Sequence, residues 1–282
     1  MTVSADITVL ICAYNRHELL SSVLGSVARQ TLQPVEILIV DDGSMPALKV
    51  GSQKNVRIIR HANNKGPAAA RNTGIKAART PYIALLDTDD LWRPEKLARQ
   101  YEVLCAASDD VFGVFSAFQR IGRAVRAGKV STPRVGDWHR FFLMGIRSGP
   151  GSTLMFRRSA FVETGGFDEA LRRYEDWDWL LNVTRSGKYR FLCLNEVLAD
   201  VLLSGRPDIK QCRQALDVIE KKHLPNTGKT SERRLLRAAL AVERAAIARW
   251  GGNYMETGRH LLTALGAPEI LLRELRLTLN MS

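Results

Sequence analysis

The chain has 282 residues, 45% of them hydrophobic and 25% charged, with a formal net charge of +12. That length allows one large globular domain with an appendage, or two domains. No window approaches the roughly 18 consecutive apolar residues of a membrane-spanning helix, which excludes an integral helical membrane protein.

A basic surplus of this size points to anionic partners: nucleic acid, phosphorylated small molecules or an acidic membrane face. Nucleic acid would favour basic residues interleaved with aromatics on one surface. Here the charge is spread, with aromatic-poor basic stretches at Arg120–Arg134 and Arg206–Arg237. No nucleic-acid partner is expected. Cys12, Cys105, Cys193 and Cys212 are widely spaced, a pattern of reduced, mostly buried thiols in a cytosolic protein.

Residues Ile7–Ala13 are short, lack a basic region and follow Asp6, so a strand is expected there rather than a secretory signal. The strand ends in the polar Tyr14-Asn15-Arg16. Leu19, Leu20, Val23, Leu24 and Val27, three and four apart, predict a helix. Val35–Val40 reads as a second buried strand closed by Asp41-Asp42-Gly43-Ser44, and Val56–Arg60 as a third before the turn-prone Ala62–Gly66. A helix from Pro67 over Ala68–Arg79 leads to a buried strand at Tyr82–Leu86. That strand runs straight into Asp87-Thr88-Asp89-Asp90.

Strict alternation of strand and helix predicts βαβ units and a parallel sheet with helices on both faces. Right-handed crossovers then gather the polar strand ends along one edge. Tyr14–Arg16, Asp41–Ser44, Lys65–Asn72 and Asp87–Asp90 would meet at one crevice, where open α/β sheets hold ligands. Three acids in four residues repel one another. They suit either a divalent cation shared with a phosphate or a solvated turn that caps the next helix. The small residues Gly66–Ala70 would let an anion approach a helix N-terminus, with Arg71 in reach, though an ordinary Ala-rich helix has the same composition.

Beyond Trp92 the pattern predicts a helix at Pro94–Ala107, a strand at Val111–Phe118, a helix at Asp137–Met144 and a strand at Thr153–Phe156 after a flexible 148–152 loop. Glu175-Asp176-Trp177-Asp178-Trp179 opens another helix. Its acids either complement the helix dipole or, beside two indoles, form part of a sugar site with a carboxylate base. After Gly205 the composition turns helical: Asp208–His223, Ser231–Trp250, Asn253–Leu265 and Pro268–Leu279, with a linker at 224–230. The expected organisation is therefore 1–205 and 206–282. The Leu and Arg alternation at 271–277 either packs on its neighbours or touches an anionic membrane.

Six motifs in order, Ile-Cys-Ala-Tyr-Asn-Arg (11–16), Val-Asp-Asp-Gly-Ser (40–44), Asn-Lys-Gly-Pro-Ala-Ala-Ala-Arg-Asn-Thr-Gly (64–74), Leu-Asp-Thr-Asp-Asp-Leu-Trp (86–92), Gly-Gly-Phe-Asp-Glu (165–169) and Glu-Asp-Trp-Asp (175–178), resemble the family 2 glycosyltransferases. The resemblance implies a GT-A fold, Rossmann-like and mostly parallel, plus a small C-terminal helical region that it does not cover. It further implies a nucleotide-diphosphate sugar donor, UDP-linked by default, Mn²⁺ or Mg²⁺, and transfer with inversion to an acceptor hydroxyl. Carried over by motif, Ala13, Tyr14, Arg16, Asp42, Lys65, Arg71, Asp87 and Thr88 would face the donor. Asp89, with Asp87 and Asp90, would hold the metal. Asp176, beside Glu175, would be the general base, and Trp177 and Ser152 would face the acceptor. No Gln-x-x-Arg-Trp follows the base, so single-sugar addition is expected. The setting implied is assembly of a bacterial-type surface polysaccharide or glycolipid, in the cytoplasm or peripherally at the inner membrane face, on a carbohydrate or lipid-linked acceptor. The competing readings are a sugar-phosphate nucleotidyltransferase and a non-catalytic nucleotide-sugar binding module.

Overall fold

In the computed structural model, which describes residues 4–51, 54–121, 126–128, 137–145, 151–202 and 208–272, the first apolar run becomes β1 (Ser4–Ala13). There follow α1 (His17–Ala28), β2 (Gln33–Asp41), β3 (Val56–Arg60), α2 (Pro67–Ala77) and β4 (Tyr82–Asp87). Next come β5 (Leu91–Trp92), α3 (Lys96–Ala106), β6 (Val111–Ile121), β7 (Arg126–Gly128), α4 (Trp138–Leu143), a 3₁₀ turn at Gly151–Thr153 and β8 (Leu154–Arg157). The remainder is α5 (Arg158–Thr164), α6 (Glu175–Arg185), β9 (Arg190–Leu202), α7 (Ile209–His223), α8 (Thr230–Trp250) and α9 (Tyr254–Ala264).

The strands form one sheet in the order β3-β2-β1-β4-β8-β6-β9-β5, with β7 paired to β6. β1 is parallel to β2 and β4, and β3 is parallel to β2. The expected parallel βαβ pattern therefore covers the first four strands. Past β4 the sheet is mixed, because β8 lies antiparallel between β4 and β6 while β9 is parallel to β6. The helix α5 and the strands β5 and β9 were not expected from the pattern. β9 escapes it because its burial alternates irregularly and polar residues interrupt it.

Ile7, Val9, Leu10 and Ile11 are all buried, so β1 is covered on both faces, as a continuous apolar run requires. Gly74 sets how close α2 lies to it: a Cβ there would stand 2.2 Å from a Leu10 methyl. A second packing centre is aromatic. Phe112, Phe156, Phe161 and Phe167 surround Trp179, with the Phe167 and Trp179 ring centroids 4.7 Å apart. Lys96, fully buried, lies 4.2 Å over the Trp92 ring and bonds Gln100; with no carboxylate beside it, burial pushes its pKa well down.

The C-terminal helices pack onto the earlier chain, α7 against α6 and α8 against α4. The boundary expected at 205/206 falls in 203–207, outside the described residues, as do most of the basic 120–134 stretch and the chain past 272. The backbone is helical at 268–272, where the last predicted helix begins. Cys212 is buried and Cys105 exposed, so the expectation of mostly buried thiols fails at Cys105. No helix among the described residues is long and apolar enough to cross a membrane.

Candidate functional site

The carboxyl ends of β1, β2 and β4 bring the expected polar clusters together, and hydrogen bonds stitch them. Asn15, with φ of +52°, donates its N–H to Ser44 Oγ at 2.9 Å, and its side-chain oxygen accepts from Met45 N at 2.9 Å. Asp42 accepts from His61 Nδ1 at 2.7 Å, Lys65 N at 2.9 Å and Gly66 N at 2.8 Å. The first turn of α2 is thus hung from the end of β2. Gly66 takes φ of +97°, which glycine adopts without strain. Asp42 is buried, and both its oxygens are already engaged, so it shapes the loop instead of offering a free carboxylate.

From this edge opens a cleft of about 600 Å³. Arg16, Arg71, Asp87, Thr88 and Asp89 line it on the strand side, and Glu175 and Asp176 at the start of α6. Ala13, Tyr14, Asp42 and Lys65 are not in its lining; Ala13 and Asp42 are buried, Tyr14 and Lys65 exposed. Arg71 joins the two sides: Nη2 donates to Asp87 Oδ1 at 3.0 Å and Nη1 to Glu175 Oε1. The guanidinium expected to reach a donor phosphate is therefore already shared between two carboxylates. These two charges raise its pKa although burial opposes them.

Each acid of the turn has a different setting. Asp89 borders the cleft and has no hydrogen bond or ion pair among the described residues. Asp87 is half-buried against Arg71, and its N–H donates to Ser152 Oγ at 2.9 Å. Asp90 is buried and accepts from Leu202 N at 3.1 Å; withdrawal from water and then the charge of Asp87 push its pKa up to about 8. Asp90 thus ties the acidic turn to the end of β9 through one oxygen while also lining the cleft.

No group of three or more metal-ligating side chains occurs among the described residues. The donor set fits a cation all the same. Mg²⁺-type sites commonly take one or two carboxylates and fill their other positions with phosphate oxygens and water. Asp89, with the second oxygen of Asp87, meets that requirement.

Two acceptor-side expectations are overturned. Trp177 is fully buried, and its indole N–H donates to Phe142 O at 2.8 Å, so it belongs to the core. Ser152 is buried beneath Asp87 and cannot meet a ligand. Both lie on faces that the sheet and α4 cover, which the local sequence does not reveal.

Asp176 is half-buried in the cleft. Loss of water, then the neighbouring charge of Glu175, raise its pKa to about 7, against the opposing pull of Arg71. Glu175 is held by Arg71. Of the two acids at this helix start, Asp176 is the one poised to exchange a proton near neutrality.

The setting of α6 depends on the C-terminal helices. Tyr174, just before Glu175, sits in the left-handed region with φ of +56°, and its hydroxyl donates to Glu243 Oε2 of α8 at 3.1 Å. For a non-glycine residue that conformation costs about 1–2 kcal/mol and persists only where neighbours hold it. Asp178, fully buried, accepts from Lys222 Nζ at 2.8 Å and His223 Nε2 at 2.7 Å, both of α7. Arg185 donates to His223 Nδ1 at 2.8 Å, so that nitrogen carries the lone pair and Nε2 the proton. Although burial opposes it, these partners hold the Asp178 carboxyl below its usual range.

The sequence reading missed Cys212, Glu243 and Trp250, which also line the cleft. A signal existed in α8: an acid at 243 and an aromatic at 250, seven residues apart and hence on one face.

Comparison with known proteins gives the family and the fold. The chain is 31% identical over 229 residues to YwdF of Bacillus subtilis, an uncharacterised glycosyltransferase, covering 77% of this chain and 84% of that one. It is 32% identical over 196 residues to the succinoglycan biosynthesis protein ExoO of Rhizobium meliloti, covering 64% and 56%. Among solved structures, S. aureus TarS in complex with UDP superposes with a TM-score of 0.63 at 17% identity, covering 87% of this chain and 73% of that one, which shows a shared fold. TarS in complex with UDP-GlcNAc gives 0.60 at 14% identity, covering 91% and 90%. The family described as Glycosyl transferase family 2 matches residues 8–165, more than half of the chain, and the protein belongs to that family.

Proposed function

We propose that this glycosyltransferase moves a single sugar from a nucleotide-diphosphate sugar, with UDP the default nucleotide, to an acceptor hydroxyl with inversion at the anomeric carbon. The observation that carries the reading is one cleft bordered by Asp89 on one side and by Asp176 on the other, the latter raised to about 7. An inverting transfer is a single displacement, and it needs those two groups apart. Asp176, ionised, takes the acceptor proton as the acceptor oxygen bonds to the anomeric carbon and the bond to the diphosphate breaks.

Mn²⁺ or Mg²⁺ held by Asp89 and Asp87 would supply positive charge against the departing diphosphate. Ala13, Tyr14, Arg16, Lys65 and Thr88 are assigned to donor contacts. Arg71 and Asp42 are assigned to shaping the site, Arg71 by fixing Asp87 against Glu175. The nucleotide complexes of TarS and the named role of ExoO support a donor of this class and a place in bacterial surface polysaccharide or glycolipid assembly. The basic surplus suits work in the cytoplasm, peripherally at the anionic inner membrane face.

The test is calorimetry of UDP, GDP, dTDP and CMP, each with and without Mn²⁺, on wild type and Asp89→Ala. Metal-linked preference for one nucleoside diphosphate, lost in the variant, is the expected result. Nucleotide affinity indifferent to both metal and Asp89 would overturn the assignment of that site.

A further inference from the structure

Asp89 borders the cleft with no hydrogen bond or ion pair among the described residues, so its place is set by the turn that carries it. That turn is closed at its base: Asp90 N donates to Asp87 O at 3.2 Å and leaves Thr88 and Asp89 at the tip. Both ends of the turn meet one buried hydroxyl. Ser152 Oγ accepts from Asp87 N at 2.9 Å and donates to the Asp90 carboxyl. The Ser152 carbonyl accepts from the indole N–H of Trp92, two residues past the turn, at 2.8 Å. Segment 87–92 is therefore wound around a single residue. Ser152 is itself fixed from below. Gln100 Nε2 donates to Thr153 O at 2.8 Å and to Val114 O at 2.6 Å, and its side-chain oxygen accepts from the buried Lys96 that lies over the Trp92 ring.

We propose that Ser152 is a positioning residue, its hydroxyl holding the two ends of the acidic turn so that Asp87 and Asp89 converge on one divalent cation. The proposal rests on the reading of those two carboxylates as the metal's protein ligands. Like charges brought together repel, and no hydrogen bond at the tip holds Asp89 against that repulsion. The restraint has to come from the ends of the turn, which is where the hydroxyl acts. A serine serving the core alone would bond into the core, whereas the hydroxyl and carbonyl of Ser152 are engaged by residues 87, 90 and 92. The core contacts beneath belong to Gln100 and do not touch the turn. Groups that orient metal ligands without touching the metal set both its affinity and its geometry.

The experiment is Mn²⁺ binding to the full chain, followed by electron paramagnetic resonance with UDP present, in wild type, Ser152→Ala, Ser152→Cys, Trp92→Phe and Asp89→Ala. Cooperative thermal unfolding reports a folded chain in each. Ser152→Ala should weaken Mn²⁺ about tenfold, the lower end of the loss when an outer partner of a metal ligand is removed. Its UDP affinity without metal, read by calorimetry, should stay at the wild-type value. The spectrum of the Mn²⁺ that still binds should broaden as the ligand geometry becomes less uniform. Ser152→Cys fills the same space with only a weak donor and acceptor, so it should behave like Ser152→Ala. Trp92→Phe keeps a ring beneath Lys96 but releases the Ser152 carbonyl, and a smaller loss is expected. Unchanged Mn²⁺ affinity in Ser152→Ala, with binding abolished in Asp89→Ala, would overturn this proposal and leave the metal reading standing. Wild-type affinity in Ser152→Cys would overturn it too, since filling space would then suffice. Mn²⁺ bound equally by wild type and Asp89→Ala would remove the metal reading, and this inference with it.

Discussion

The two sides of the cleft are made in different ways. On the strand side, the groups are fixed at the ends of sheet strands: Asp42 gathers the N–H groups of residues 65 and 66, and the turn after β4 presents Asp87 and Asp89, with the Asp87 N–H on Ser152 Oγ. On the α6 side, placement depends on residues far along the chain. Tyr174 is held by Glu243, 69 positions on, and Asp178 by Lys222 and His223, 44 and 45 positions on. Both sides borrow from distant residues. The strand side rests on the sheet, through Ser152 and Leu202, and the helix side on α7 and α8, so lesions in those helices should reach the α6 side first.

The largest effect should come from Asp176→Asn, which keeps the shape of the side chain but removes the proposed base. Transfer should drop by ~10³, within the usual range for a general base, with nucleotide affinity unchanged in calorimetry. A parallel loss of nucleotide binding would show that the two sides are not separable. Next in size is Asp178→Ala, which leaves Lys222 with Asp168 alone and takes the carboxylate from the buried His223. It should lower stability by about 3 kcal/mol in chemical denaturation, as breaking a buried ion pair does. The comparison is sharpened if Asp178→Ala reduces turnover in the protein that remains folded.

The reach of the sequence follows the same division. The four polar clusters and the parallel β1–β4 unit were legible because apolar runs ending in polar turns report strand ends directly. The motif pointed to Asp176, which lines the cleft. Trp177 was misread because acids beside an indole look alike whether the ring faces a ligand or the core, and only the packing of α4 decides it. The tie from Asp90 to Leu202 was not legible because the two are 112 residues apart. Trp250 was passed over because the amphipathic spacing of α8 accounts for an aromatic there without any site.

A third prediction concerns pH. With the Asp176 pKa at about 7, the ionised base is lost as pH falls through that value. The rate should decline tenfold per unit below it and level off above pH ~8. For stability the sign is reversed: the folded state holds this proton more tightly than the unfolded chain does. The carboxyl therefore contributes most below pH ~4, and the contribution is lost as pH rises to about 7. In Asp176→Asn both trends should vanish, read as a pH–rate profile and as denaturation midpoints. The smallest effect should be Tyr174→Phe, which leaves the ring and frees the hydroxyl tie. A loss of about 1 kcal/mol, the worth of one hydrogen bond, is expected in stability. Turnover should fall more than nucleotide affinity, because the residue released is next to Glu175 and far from the ends of β1 and β2.

The brace formed by Lys222, His223 and Glu243 bears on how such a chain could diversify. The helices that hold the cleft end of α6 also supply Cys212, Glu243 and Trp250 to the cleft. Exchanging them by recombination to obtain a new acceptor would remove the partners of Tyr174 and Asp178 in the same event. A functional graft must bring a donor pair for the buried aspartate and an oxygen for the tyrosine. Change on this wall is therefore expected by point substitution around a fixed frame.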